Sequence, residues 1–483
     1  MPRDHPVRPR LALPSGFVLA LALPLLAAAA AAAATLPVTT TADADVDDAF
    51  CSLREAIVAA NTDGAYHGCP AGAGADRIVF SLSLPAAISL ASDLPTITST
   101  LAIRGPDATQ LAIDGQDLHR LLVVDSASGG EWLGVEDLTL TRGLAPVQGG
   151  GAFVAPGDTG YFRRVRFFSN QATNNGGGLA VAGLSALPSA VGVEACWFSD
   201  NLAHGPSGGG GLTATGFTTL WIDRTTFSGN RADGVTGSGG ALVVNRADAT
   251  VTRSTFSDNY ADVGGGAIFL FSSTAEASLL LQDSTVTDNH ADADANGSGD
   301  GGGIFVVSAA DHAASLTLVN TIVAFNTDEL PQVHYDLSFG AFVVADSLGS
   351  NLIGLNLGSE TFFPAGLPNG NGDWVGQVGT PINPELDPLG DNGGFGPDHE
   401  PVDSMTSRVI DHGACPGSGG DQRGYGDASA HLRIVDLPAA NGAGSDGCDI
   451  GAHERGGAPE ADPDLFADDF ESGHHLYWDG SLP

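Results

Sequence analysis

Three aspartates, Asp233, Asp262 and Asp292, stand 29 and 30 residues apart, each three places after an Asn. If each interval is one turn of a stacked repeat, their carboxylates lie about 4.8 Å apart. Like charges at that spacing raise one another's pKa, splay into solvent or take a hard cation between them. Ca2+ is therefore the cofactor the sequence suggests, and a solvated acidic ridge is the plainer alternative. Asp258 and Asp288 directly precede their Asn and add a second acidic pair. Paired carboxylates can hydrolyse glycosides, and a polysaccharide lyase would add a base of lowered pKa beside a bound cation. Arg224 and Arg253 recur one interval apart with Asp283 next in line, which reads more simply as a ladder of surface ion pairs. His67, His334 and His431 are isolated, and no Gly-x-Ser-x-Gly, Walker-type or His-Glu-x-x-His string occurs. No catalytic residue is assigned. The expectation is a non-enzymatic, adhesin-like or surface-binding protein, with a Ca2+-dependent polysaccharide lyase or glycoside hydrolase as the alternative.

The element that must position these side chains is a repeat. Asn170, Asn201, Asn230, Asn259, Asn289 and Asn326 close six apolar segments, and a Gly cluster precedes each segment. Three places before the Asn stand Phe167, Phe198, Phe227, Phe256, Val286 and Val323; eight before it stand Phe162, Val193, Ile222, Val251, Leu281 and Leu318. Both columns are apolar, yet they lie an odd number of residues apart, so a strand of period 2 must bend between them. Six places before the Asn, Arg164, Ala195, Arg224, Arg253, Asp283 and Asn320 read as an outward column. Short strands with Gly and Asn corners, stacking like on like, predict an all-β, single-stranded, right-handed parallel β-helix. The Asn column forms a structural ladder, each amide finding partners on the neighbouring coils and tolerating a left-handed corner. Cys196 falls in a column of small residues five before the Asn and reads as a buried, inert thiol; Trp197 beside it faces outward and could stack on a sugar.

The chain has 483 residues, 67 of them Gly, and a net charge of −38 with Arg as its only basic residue apart from His. Such a charge disfavours nucleic acid and anionic membrane surfaces. Residues 1–34 show the basic, apolar and Ala-rich regions of a secretory signal, an uncleaved anchor being the alternative, and no later stretch is apolar enough to span a bilayer. Export brings an oxidising compartment, so Cys51–Cys69 and Cys415–Cys448 are the expected disulfides by proximity, with Cys196 left over.

Residues 35–93 form an N-terminal cap, with Leu53, Ile57 and Ala60 at helical spacing over a short helix. The string Cys51-Ser-Leu-Arg-Glu-Ala-Ile57 resembles the CSLREA domain of secreted bacterial β-helix proteins. Ser350-Asn-Leu-Ile-Gly354, Asp387-Pro-Leu-Gly-Asp-Asn-Gly-Gly394, Val409-Ile-Asp-His-Gly413, Asp421-Gln-Arg-Gly424 and Cys448-Asp-Ile-Gly-Ala-His-Glu454 resemble the choice-of-anchor Q module. The resemblance implies a secreted or surface β-helix joined to one of several anchoring or sorting tails and does not by itself imply an enzyme. The ending Leu465-Phe-Ala-Asp-Asp-Phe-Glu-Ser-Gly473, with Trp478 downstream, is similar to a short tail of secreted gammaproteobacterial proteins, which implies a Gram-negative envelope. The remaining expectations are a β-helix over 94–330 with regular coils at 149–326, further coils and an anchor-associated module over 331–455, and a linker and short tail over 456–483. A monomer that binds a polysaccharide or another cell-surface component is expected.

Overall fold

The computed structural model describes residues 33–455, apart from 207, 298, 310, 329–335, 403, 405–406, 414–419 and 427–447, together with 458–459. Residues 1–32, where a secretory signal is expected, Cys415 and the residues beyond 459 lie outside the described residues.

Each regular coil places its strands on their equivalents one repeat away. Phe167 pairs in register with Phe198, Phe198 with Phe227, Phe227 with Phe256, Phe256 with Val286 and Val286 with Val323, all in parallel. The rings stack at 4.3 to 4.7 Å between centroids and within 9° of parallel, and the column is fully buried. One long sheet carries both strands that precede the Asn, a narrow sheet carries the two-residue strands that follow it, and an eight-stranded sheet carries the strands after each Gly cluster. The chain is thus a parallel β-helix with its apolar columns facing a single central core.

The bend required between the two inward columns lies at the residue six before the Asn. Arg164, Ala195, Arg224, Arg253, Asp283 and Asn320 all have φ between 47° and 50°. A second left-handed residue directly precedes the Asn: Ser169, Asp200, Gly229, Asp258, Asp288 and Phe325. This corrects one expectation, since the Asn residues themselves are not the left-handed corner. Their task is hydrogen bonding alone. Asn230 donates from its backbone N and its Nδ2 to Asn259 Oδ1 at 3.1 and 2.9 Å, and from Nδ2 back to the Phe198 carbonyl at 2.9 Å. The same three bonds recur from Asn170 to Asn289, and at Asn326 the acceptor becomes Asp336 Oδ1. Asp336 is fully buried, and burial pushes its carboxyl up to about 7 against the donors that favour its ionised form. A second ladder runs through the small column, from Cys196 N to Thr225 Oγ1, Thr225 N to Ser254 Oγ and Ser254 N to Ser284 Oγ. Farther along, Thr321 N donates to Asn351 Oδ1, and Asn351 donates to the buried Asp373. The Asn ladder thus ends on the buried Asp336, and the Thr321–Asn351 step on the buried Asp373.

The stack starts earlier than the repeat pattern implies. Strand β1, Thr35–Val38, pairs in parallel with Asp76–Phe80, which pairs with Leu101–Arg104. Between the first two strands lies helix α1, Leu53–Thr62, the expected cap. Ser52 Oγ accepts from Glu55 N while Glu55 Oε2 accepts from Ser52 N, a reciprocal cap on the helix start. Leu53, Ala56, Ile57 and Ala60 are buried in the core. Cys51 and Cys69 are joined by a disulfide, Cα to Cα 4.7 Å.

Candidate functional site on the outer coil faces

Side chains that alternate with the core point outward, so each coil offers one residue to the same row. Four before the Asn, this row reads Arg166, Trp197, Thr226, Thr255, Thr285 and Ile322, in register from coil to coil. From Thr226 onward the row is covered by the chain's own C-terminal segment. Thr226 Oγ1 donates to the Pro397 carbonyl at 2.7 Å and accepts from Gln422 Nε2 at 2.7 Å, while Thr255 Oγ1 donates to Gln422 Oε1 at 2.5 Å. Ala452 N donates to Thr285 Oγ1, and Asn320 exchanges bonds with Asp449 O and Gly451 N. Next in line, Ile322, Ala324 and Leu352 pack with Ile382, Val409 and Ile450 in a second apolar core. Asp283 and Asn320, expected on an outward column, are buried here for that reason. Close approach explains two glycines: a Cβ on Gly396 would stand 2.4 Å from Thr226 Oγ1, and one on Gly451, whose φ is +102°, would stand 2.7 Å from Thr285 Oγ1.

The segments that resemble an anchoring module hold one another. Asp421 accepts from Arg423 Nε and Nη2 and from Glu454 N; Asp449 accepts from Asp411 N and Arg455 N; His453 Nδ1 lies 3.2 Å from Asp398 Oδ1. These carboxylates are buried. His399 bridges the Asp387 carbonyl at 2.7 Å and Ser257 Oγ at 2.9 Å. Both His399 and Ser257 are buried against the coils, so the pair acts as a fastener. Cys448 is buried; its expected partner Cys415, and with it the second disulfide, lies outside the described residues.

Residues 124–323 match the family described as a right handed beta helix region. No curated protein and no solved structure matches the chain. The right-handed β-helix is thus the scaffold on which every candidate group must be placed.

On this β-helix the three aspartates of the suggested Ca2+ column each have a partner of their own. Asp233 Oδ1 lies 2.7 Å from His204 Nδ1, Asp262 Oδ1 accepts from Arg231 Nη2 at 3.0 Å, and Asp292 accepts from the backbone N of Asn296 and Gly297. Burial raises the Asp262 carboxyl despite Arg231. Among the described residues, the one group of three ligand-type side chains whose atoms gather within 4.8 Å is Asp45, Glu55 and His67 beside helix α1, and Glu55 is already engaged by the helix cap and Val46 N.

Most outward arginines are likewise engaged. Arg164 takes Asp137 through Nε and Nη2 at 2.6 and 2.8 Å, Arg253 takes Asp223 at 2.8 and 2.7 Å, and Arg224 reaches Glu194, which also accepts from Tyr161 Oη. The Arg224, Arg253 and Asp283 series is therefore part of a coil-to-coil ladder whose carboxylates are chiefly Glu194 and Asp223, which the repeat alignment did not single out. Arg166 is different. Its guanidinium carbon sits 4.6 Å from the Phe168 ring centre and 4.2 Å from that of Trp197, and Trp197 Nε1 donates to Ser228 Oγ at 2.9 Å. Cys196 is fully buried and its thiol is pushed up to about 12 by burial, which keeps it protonated and inert. The sequence reading missed Arg166, although it is the one charged residue in the row four before the Asn; Gln422 and His399, outside any repeat, carried no comparable signal.

Proposed function

We propose that this β-helix is a secreted or surface-associated, non-enzymatic binding protein of a bacterial envelope, and that the outer coil face around Arg166 and Trp197 is its binding surface. The observation that carries this reading is the division of one row: Thr226 to Ile322 are covered by the C-terminal segment, whereas Arg166, Phe168 and Trp197 next to it are half-buried. Outward carboxylates that a glycosidase would need as acid and base are instead tied to arginines, as in Asp137 with Arg164 and Asp223 with Arg253. The Cys51–Cys69 bond and the signal-like sequence of residues 1–34 fit an exported chain. Among the described residues no helix is long and apolar enough to cross a membrane.

The test incubates the full mature chain with neutral and acidic polysaccharides, with and without Ca2+, and reads binding and cleavage in parallel. Binding that Trp197→Ala weakens, with no new reducing ends, is the expected result. Cation-dependent unsaturated or reducing ends, lost on replacing Asp262, would install the lyase or hydrolase reading instead.

A further inference from the structure

The chain's charge of −38 makes an arginine without a carboxylate partner conspicuous. Among the described residues Arg166 makes no ion pair and no hydrogen bond; its Nε is shut off from solvent without a partner, and its contacts are the faces of Phe168 and Trp197. Burial lowers its pKa and Asp200 offsets this only in part, so the cation is incompletely compensated. Stacking on rings fixes a guanidinium without consuming its Nη N–H donors, which stay free to grip two oxygens of an oxyanion. Trp197 cannot swing away easily, because its indole N–H is held by Ser228. Of the hydroxyl residues in register around it, Thr139, Ser199 and Ser228 are buried, Thr139 donating to the Ala108 carbonyl and Ser228 accepting from Trp197, while Thr141, paired with Phe168 one coil before Arg166, is partly exposed.

Resting on the reading of this face as a binding surface, we infer that Arg166, stacked on Phe168 and Trp197, binds a single oxyanion, a carboxylate or sulfate ester, carried by an otherwise neutral glycan. The two charge scales select this ligand. Locally the unpaired guanidinium attracts one negative group, whereas the field of the whole chain repels a dense polyanion. The partly exposed Thr141 beside Phe168 offers a hydroxyl to a sugar next to that one charge.

The experiment titrates the full mature chain, by calorimetry at fixed salt, with xylohexaose, with the same oligosaccharide bearing one glucuronic acid branch or one sulfate ester, with polygalacturonate and with hexaglycine. The singly charged glycans bind at least roughly tenfold more tightly than xylohexaose, a margin of about 1.4 kcal/mol. Arg166→Gln abolishes the margin, weakening the singly charged glycans more than xylohexaose, with the circular dichroism spectrum unchanged, and Arg166→Lys restores only part of it. Equal binding of neutral and singly charged glycans overturns the inference and leaves the binding-face reading standing. Tighter binding of polygalacturonate overturns the selection by charge density, and hexaglycine binding as tightly as the charged glycans overturns the glycan assignment. Failure of every saccharide to bind removes the binding face itself. If Arg166→Gln does not fold, Trp197→Phe, which keeps a ring but releases the Ser228 bond, must reduce the charged margin more than neutral binding, or the inference falls.

Discussion

The coils ending at Asn170 and Asn201 and those ending at Asn230, Asn259 and Asn289 share one inner face and carry different outer ones. Inside, Phe167, Phe198, Phe227 and Phe256 continue without interruption. Outside, the early coils hold Arg166 and Trp197, and the later ones hold Thr226, Thr255 and Thr285 beneath Pro397, Gln422 and Ala452. Because strand side chains alternate, the inward residues can specify the stack while the outward residues change freely. The scaffold and its cargo are separately encoded in the same few residues.

Replacing an inner residue should hurt far more than replacing its outer neighbour. Phe227→Ala opens a cavity in the ring stack and costs about 3–5 kcal/mol, read as a lowered denaturant midpoint, whereas the half-buried Trp197 mutated to Ala changes that midpoint much less. Equal losses would break the distinction. Asn230→Ala strips Asn201 of the acceptor for two donors, each costing about 1–3 kcal/mol when left unmet, and the loss should be larger than for any single outer contact. Asp336 sharpens the same point through pH. Its folded pKa of about 7 lies above the unfolded carboxylate value, so the folded state binds the proton more tightly. Its contribution is therefore fully present below about pH 4 and is lost as pH rises toward 7. Asp336→Asn should flatten that part of the melting-temperature profile; an unchanged slope would show that another group titrates. Gln422→Ala should cost about 1 kcal/mol and speed amide hydrogen exchange in residues 448–455 while coil amides keep their protection. His204→Ala, which removes an exposed contact to Asp233, should have the smallest effect, about 0–1 kcal/mol.

The repeat was readable because stacking forces equivalent residues to meet, so Phe227 over Phe256 and Asn230 over Asn259 follow from spacing alone. The bend was readable as well, from two inward columns an odd number of residues apart, although its residue turned out to be the left-handed Arg224 rather than the Asn. What stayed hidden was contact across unequal separations. Gln422 lies 196 residues from Thr226 and His399 lies 142 from Ser257, and nothing periodic links them. The aspartates three after the Asn did share a column, but spacing could not disclose that His204, Arg231 and the backbone after Asp292 would each claim one of them. Arg166 needed the opposite information, that among the described residues no carboxylate forms an ion pair with it, Asp200 acting only at a distance.

The C-terminal segment touches four successive coils, at Thr226, Thr255, Thr285 and Asn320. It therefore works as a ruler. Deleting or duplicating a whole repeat among those four would throw its contacts out of step, while an extra unit inserted upstream of Thr226 would leave them aligned. Relatives that vary in length should gain and lose their turns on the upstream side.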